Sequence, residues 1–155
     1  MLSLTKILLP TDFSEPALEA TAYAVELAKQ FGSQLHLLHV IVDPKIYLPM
    51  FESVPLPSRD DFEGYAQARL ESWILPDDAT GIEISCHWCH GTPFVEIARF
   101  ARSQEVDLMV VGSHGHGFAK HLLMGSVAEK LVRKSPCPVL TVRPKGHQFV
   151  HPATD

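Results

Sequence analysis

No apolar run in the 155-residue sequence approaches the ~20 residues that span a bilayer, so a membrane-crossing helix is not expected. The opening MLSLTKILLPTDFS lacks a basic n-region and a small-residue cleavage site, and a cytoplasmic location follows as the expectation. Cysteine is scarce. Three residues, an odd number, cannot build a disulfide framework and suit a reducing compartment. Basic charge is also in short supply, with 13 Lys and Arg against 18 Asp and Glu and a net charge of -5. That balance leaves no broad footprint for a nucleic-acid backbone or an anionic membrane, so any anion site must be local.

What is present reads as one domain, 1–144, followed by a tail, 145–155, whose Pro, Gly and His predict a loose end. Apolar runs and helical patterns alternate along it. LTKILLP (4–10) is a short, nearly continuous apolar run, as expected of a strand buried on both faces. SEPALEATAYAVELAKQF (14–31) opens on a capping-type Ser14 and places Ala17, Tyr23 or Ala24, Val25, Ala28 and Phe31 at helical spacing, and Gly32 ends it. QLHLLHVI (34–41) predicts a second strand, with His36 and His39 at its ends or polar positions. The stretch 43–60 holds four prolines and predicts irregular chain, either a flap over a ligand or a variable loop.

A second helix follows at 61–74, with Phe62, Tyr65 or Ala66, Leu70, Trp73 and Ile74 as its apolar stripe. Strand patterns at 82–90, 106–112 and 137–144, with helices at 93–104 and from about Gly125, complete five strands separated by helical segments. This alternation predicts an α/β fold: a parallel sheet with helices on both faces. Ligands in such sheets bind beyond the carboxyl ends of the strands, where the winding reverses. The loops after the first and fourth strands, PTDFS and GSHGHG, therefore hold the candidate site.

The second of these loops is rich in bare backbone. Gly112, Gly115 and Gly117 stand on one side, and Gly125 and Ser126 stand where the next helix begins. Glycines expose backbone N–H groups, and a helix N-terminus adds unpaired donors and a positive dipole end, which together make an anion cradle. The plainer alternative is a surface loop with a capping Ser126. GxxxxGK[ST] is absent, and GxGxxG fails after Gly115-His116-Gly117.

Gly112, Gly115, Gly125 and Ser126 match GxxGx9G[ST], and they are flanked by ILLPTDFSEPA and GSVAEKLVRKSPCPVLTVRP. On these residues the sequence resembles the universal stress protein family, in its ATP-binding branch, over residues 4–144. The resemblance implies an open, Rossmann-like sheet of five parallel strands in the order 3-2-1-4-5, akin to adenine nucleotide alpha hydrolases. It also implies an adenine nucleotide ligand: ATP, with AMP or ADP as alternatives, and Mg2+ as companion ion. By the same resemblance Asp12, with Pro10 and Thr11, meets adenine and ribose, and the backbone around Val40 and Ile41 completes the adenine pocket. Gly112 and Gly115 serve ribose and phosphates, and Gly125, Ser126 and Val127 hold the phosphates. Loops of this kind often carry Arg or Lys after the second glycine. This one has His116, which supplies a full charge only when protonated. A homodimer through the edge strand Val139, Leu140, Thr141 and Val142 is implied as well.

Asp12 has a second reading as the N-cap of the first helix; with Ser14 available to cap, its carboxylate is expected to be free for a ligand. The cluster CHWCH supplies Cys86, His87, Cys89 and His90, all metal-ligand types. In a strand, however, these side chains diverge to opposite faces, so no metal site is expected. No catalytic residue is assigned: the loop offers His114, His116 and His121 but no acidic residue before Glu129 to hold a metal. The leading expectation is an ATP-binding stress-response module that signals through occupancy and an unidentified protein partner. The alternative is a slow ATP-hydrolysing or self-phosphorylating enzyme.

Overall fold

The computed structural model describes residues 1–43, 57–114 and 124–145. In chain order its elements are β1 (Lys6–Pro10), α1 (Glu15–Phe31), β2 (Gln34–Ile41), α2 (Arg59–Glu71), α3 (Pro76–Ala79), β3 (Ile84–His90), α4 (Pro93–Ser103), β4 (Leu108–Gly112), α5 (Ser126–Lys134) and β5 (Val139–Val142). The strands form one parallel sheet in the order β3-β2-β1-β4-β5. The short turn α3 is the one described helix that the periodicity of the sequence does not announce.

Consecutive strand residues feed opposite cores, as a period of two requires. Ile7, Leu9, Leu35, Leu37 and Val110 pack beneath α1 and α2 with Ala20, Ala24, Ala28 and Leu70. Leu8, Leu38, Val40, Met109 and Val111 pack beneath α4 and α5 with Ile97, Ala101, Ala128 and Leu131. Being sandwiched on both faces is why β1, β2 and β4 read as continuous apolar runs.

The face that α1 turns to the sheet is made of small side chains, and this settles one ambiguity in its pattern. Ala24 is buried, whereas Tyr23 and Phe31 are exposed. Phe31 is thus a correction: it sits in the last turn beside Gly32, which ends the helix at φ 64, and it has left the sheet. Ser14 caps α1 as expected, its hydroxyl accepting from Ala17 N–H. The helix approaches so closely that a Cβ added to Gly112 would stand 2.7 Å from the Pro16 carbonyl oxygen.

α2 starts two residues earlier than its apolar stripe suggests, because Ser58 and Asp61 form a reciprocal capping box. Ala66 and Leu70 are buried, Phe62 is half-buried and Tyr65 exposed, while the helix ends at Glu71, before the half-buried Trp73 that the stripe to 74 includes. His36 corrects another expectation. It is 4% exposed in the middle of β2, with Nδ1 3.2 Å from His87 Nε2 and its own Nε2 buried without a hydrogen-bond partner. Burial holds both imidazoles below the usual histidine pKa. None of the described helices is long and apolar enough to cross a membrane.

Candidate functional site

The loop after β1 is fixed by its own side chains. Thr11 N–H donates to Leu38 O (2.9 Å), and the Thr11 hydroxyl accepts from Phe13 N–H (3.0 Å). The Thr11 carbonyl accepts from His39 Nδ1 (2.8 Å), which puts the proton on that ring nitrogen. Asp12 Oδ1 accepts from Ser14 N–H (3.0 Å) and from the Ser14 hydroxyl. The expectation that capping by Ser14 leaves the Asp12 carboxylate uncommitted is therefore corrected. Ser14 caps α1 and grips Asp12 at once, because one hydroxyl both accepts and donates.

The loop after β4 is pinned at its two ends. Ser113 N–H donates to Val142 O (2.8 Å), and Gly125 N–H returns to Ser113 O (2.5 Å), so the chain leaves the sheet and re-enters at one point. Gly125 occupies the N-cap position of α5, and no described side chain caps that helix. The first-turn N–H groups of Ser126, Val127 and Ala128 have no acceptor within the helix.

Between these loops lies a cavity of about 480 Å³, within the range of small-molecule sites. Pro10, Thr11, Asp12, Val40, Gly112, Gly125, Ser126 and Val127 all line it, so eight sequence-predicted residues meet in one space although more than 110 positions separate the first from the last. Ile41 does not line it: its side chain is buried, its carbonyl accepts from Gly91 N–H (3.1 Å), and Val42 takes the place at the rim. Gly115 and His116 lie outside the described residues. Gly112 needs to lack a side chain whatever the cavity holds, since the first turn of α1 occupies the space a Cβ would fill.

The sequence reading missed the apolar wall. Leu38, Val111 and Met124 join Pro93 and Ile97 at the start of α4 and Leu131 of α5. Pro93 and Ile97 reach the site only through the sheet order and carry no local signal. His39 and His114 add the remaining imidazoles, and the His114 ring lies 2.9 Å from the Ser113 hydroxyl. The cavity is lined by apolar side chains, by Asp12, whose carboxylate is held by Ser14, and by the first residues of α5.

The CHWCH segment lies in β3 and is divided by the sheet. Cys86 packs on the α1 and α2 side, and His90 Nε2 stands 2.7 Å from Glu63 Oε1 of α2. Cys89 packs on the opposite side, where the His87 ring lies against Phe100 of α4, with centroids 4.8 Å apart. Burial pushes both thiols above the usual cysteine pKa, which disfavours the thiolate that a metal would need. Among the described residues no three or more His, Cys, Asp or Glu side chains gather as a metal-binding group.

The model of the Universal stress protein family matches residues 3–143. Universal stress protein MJ0531 of Methanocaldococcus jannaschii is 34% identical over 139 residues, covering 89% of this chain and 81% of that protein. Universal stress protein MJ0577 of the same organism is 32% identical over 91% of this chain and 96% of its own length. The solved structure of MJ0577 superposes with a TM-score of 0.75, covering 94% of this chain and all of that one. A universal stress protein from Archaeoglobus fulgidus in complex with dAMP shares the fold at 19% identity, with a TM-score of 0.63 and coverage of 91% and 98%. The sheet order, the meeting of Gly112, Gly125 and Ser126 at one cavity and these matches have one reading: the chain belongs to the universal stress protein family.

Proposed function

We propose that this protein binds ATP in the cavity between β1, β2, β4 and α5 and acts as a nucleotide-dependent stress-response and signalling module. The observation that carries the reading is the convergence of Asp12 and the α5 N-terminus, which no described side chain caps, on one apolar-walled cavity. An apolar slot suits the adenine faces, an ionised Asp accepts from ribose hydroxyls, and a helix N-terminus suits phosphate oxygens. The relative from Archaeoglobus fulgidus that shares this fold was solved with dAMP, itself an adenine nucleotide. Mg2+ enters this reading only as the companion of the nucleotide's phosphates.

Calorimetric titration with ATP tests the assignment. The wild type should bind, and Gly125→Val should weaken binding by about tenfold or more by crowding the α5 donors. Gly125 has φ -67, which any residue adopts, so the fold should survive, with the melting temperature lowered by about 2–4 °C because Val is a poorer N-cap than Gly. Equal affinities would remove the phosphate assignment.

The reading includes a homodimer. β5 lies at the edge of the sheet, with Leu140 half-exposed, and pairing Val139 to Val142 with its copy would satisfy the open backbone groups. Light scattering at micromolar concentration should find a dimer that Leu140→Pro abolishes. A wild type that scatters as a monomer would reject it.

A further inference from the structure

We propose that Phe13 is a positioning residue of the nucleotide site: its ring, clamped against α2, holds Asp12 in the orientation that the ligand meets. The proposal rests on the nucleotide reading above and adds to it a residue that touches no ligand.

Adjacent side chains in the β1 loop must reach different destinations. Asp12 lines the cavity, whereas Phe13 packs against the core beneath α1 and α2. The backbone achieves this with φ +63 at Phe13, a left-handed conformation uncommon for a bulky residue. Such a conformation persists when its surroundings over-determine it. Glycine would satisfy the backbone with less strain, so the ring itself must supply what offsets it.

The surroundings are specific. The Phe13 ring stacks on His39 with centroids 4.3 Å apart, and it meets the ring of Trp73 at 5.5 Å and that of Tyr65 at 6.2 Å, both edge-on. The Arg69 guanidinium stands 5.2 Å from the Phe13 centroid and 5.7 Å from that of Trp73, in cation–π range. Arg69 Nε is buried with no hydrogen-bond partner among the described residues, which leaves the ring faces as its company. The clamp is itself anchored. Trp73 Nε1 donates to Thr21 Oγ1 of α1 (2.7 Å), and His39 Nδ1 donates to the Thr11 carbonyl (2.8 Å).

The link to Asp12 is short. The Ser14 N–H that Asp12 Oδ1 accepts belongs to the peptide following Phe13, and Phe13 N–H is itself held by Thr11 Oγ1. A loop relaxing to negative φ at position 13 would rotate the Ser14 N–H and carry the carboxylate away from its place. The ligand would then have to reorder the loop on binding, and affinity would fall.

Calorimetry with ATP on the full chain, well below every variant's melting transition, tests this. Phe13→Ala and Phe13→Gly should each weaken binding about tenfold, while Phe13→Tyr should retain near-wild-type affinity. A purely backbone role predicts instead that Phe13→Gly binds as the wild type does, and that result would overturn the proposal. The chain has two tryptophans, so Trp88→Phe leaves Trp73 as the sole reporter. ATP should shift its emission, and adding Phe13→Ala should abolish the shift. Should Phe13→Ala fail to fold, Arg69→Met decides from the other side of the ring: weakened ATP binding supports the clamp, and unchanged affinity with an unchanged Trp73 response refutes it. Wild type that binds no ATP sinks the nucleotide reading and this proposal with it. Binding by the wild type matched by Phe13→Ala sinks the proposal alone.

Discussion

At the amino ends of the strands, Asp107 Oδ2 accepts from Thr5 N–H, the Thr5 hydroxyl and Lys6 N–H, all within 2.9 Å, and Lys6 Nζ donates to Gln104 O (2.8 Å). Ser33 Oγ donates to Leu4 O (2.5 Å), and Gln34 Nε2 to Glu83 Oε1 (2.7 Å). At the carboxyl ends, by contrast, α4 and α5 begin without a described side-chain cap around a cavity of about 480 Å³. Both ends bond polar groups within the fold, but the carboxyl end alone of the two keeps this lined cavity beside the start of α5. The difference teaches that stability and binding should respond to separate substitutions, except where a residue that lines the cavity is also packed tightly against the fold.

Gly112 is that exception, and its replacement should have the largest effect. Gly112→Val would force side-chain atoms against the Pro16 carbonyl, already 2.7 Å from an ideal Cβ. Overpacking of this kind should cost about 3 kcal/mol, read as a lowered midpoint in urea, and should weaken ATP binding as α1 shifts. An unchanged midpoint would mean that α1 does not approach β4 so closely.

Asp12→Asn sharpens the comparison at the carboxyl end. The amide oxygen can still accept from Ser14, so the loop should survive, while loss of charge should weaken ATP binding about tenfold. Calorimetry beside a melting curve checks both halves. A melting shift without an affinity change would assign Asp12 to the fold alone.

Asp107→Asn makes the reciprocal test at the amino end. Its bonds to Thr5 and Lys6 hold the Asp107 carboxyl below the usual carboxylate pKa of 3.8. The contribution to stability is therefore present above that value and lost as pH falls through the lower, folded one. At neutral pH the substitution should lower the melting temperature by about 2–4 °C, a modest loss because the carboxyl is only partly buried, and leave ATP affinity unchanged.

The smallest expected effect belongs to His36 and His87. Both are held below the usual histidine pKa of 6.5, chiefly by burial; for His36, His87 and Lys6 of β1 push further down, while Glu83 opposes them. On the α4 side they face the Phe100 ring. The unfolded chain takes up protons first, so stability is full above about 6.5 and declines as pH falls toward the folded pKa values. His36→Leu should flatten this decline between pH 7 and pH 5.5 in urea titrations. A decline of the same slope would place the proton uptake elsewhere.

Much of the carboxyl end was legible in the sequence because its residues sit where strands stop and glycines cluster. β2 appears with the boundaries its apolar run announces, Gln34–Ile41. What could not be read is spatial. Pro93 and Ile97 join the cavity wall only because β3 and β4 flank the β1–β2 pair, and Ile41 yields to Val42 because Gly91 takes its carbonyl. His36 misled because a histidine inside an apolar strand looks polar by type, whereas its partner, His87, comes from a strand about 50 residues later. The Phe13 clamp depends on a backbone angle that no residue pattern encodes.

The sheet order has a consequence for the growing chain. β1 is translated first yet lies at the centre, between β2 and β4, and the Asp107 that ties its start arrives 101 residues after Lys6. The β1–β2–β3 half has all its partners on hand early, whereas closing the contact to β4 means closing a long loop. Gly125 and the α5 donors emerge later still. On the ribosome the cavity is thus completed only after the β1–β2–β3 half is in place, once β4 and the start of α5 have emerged.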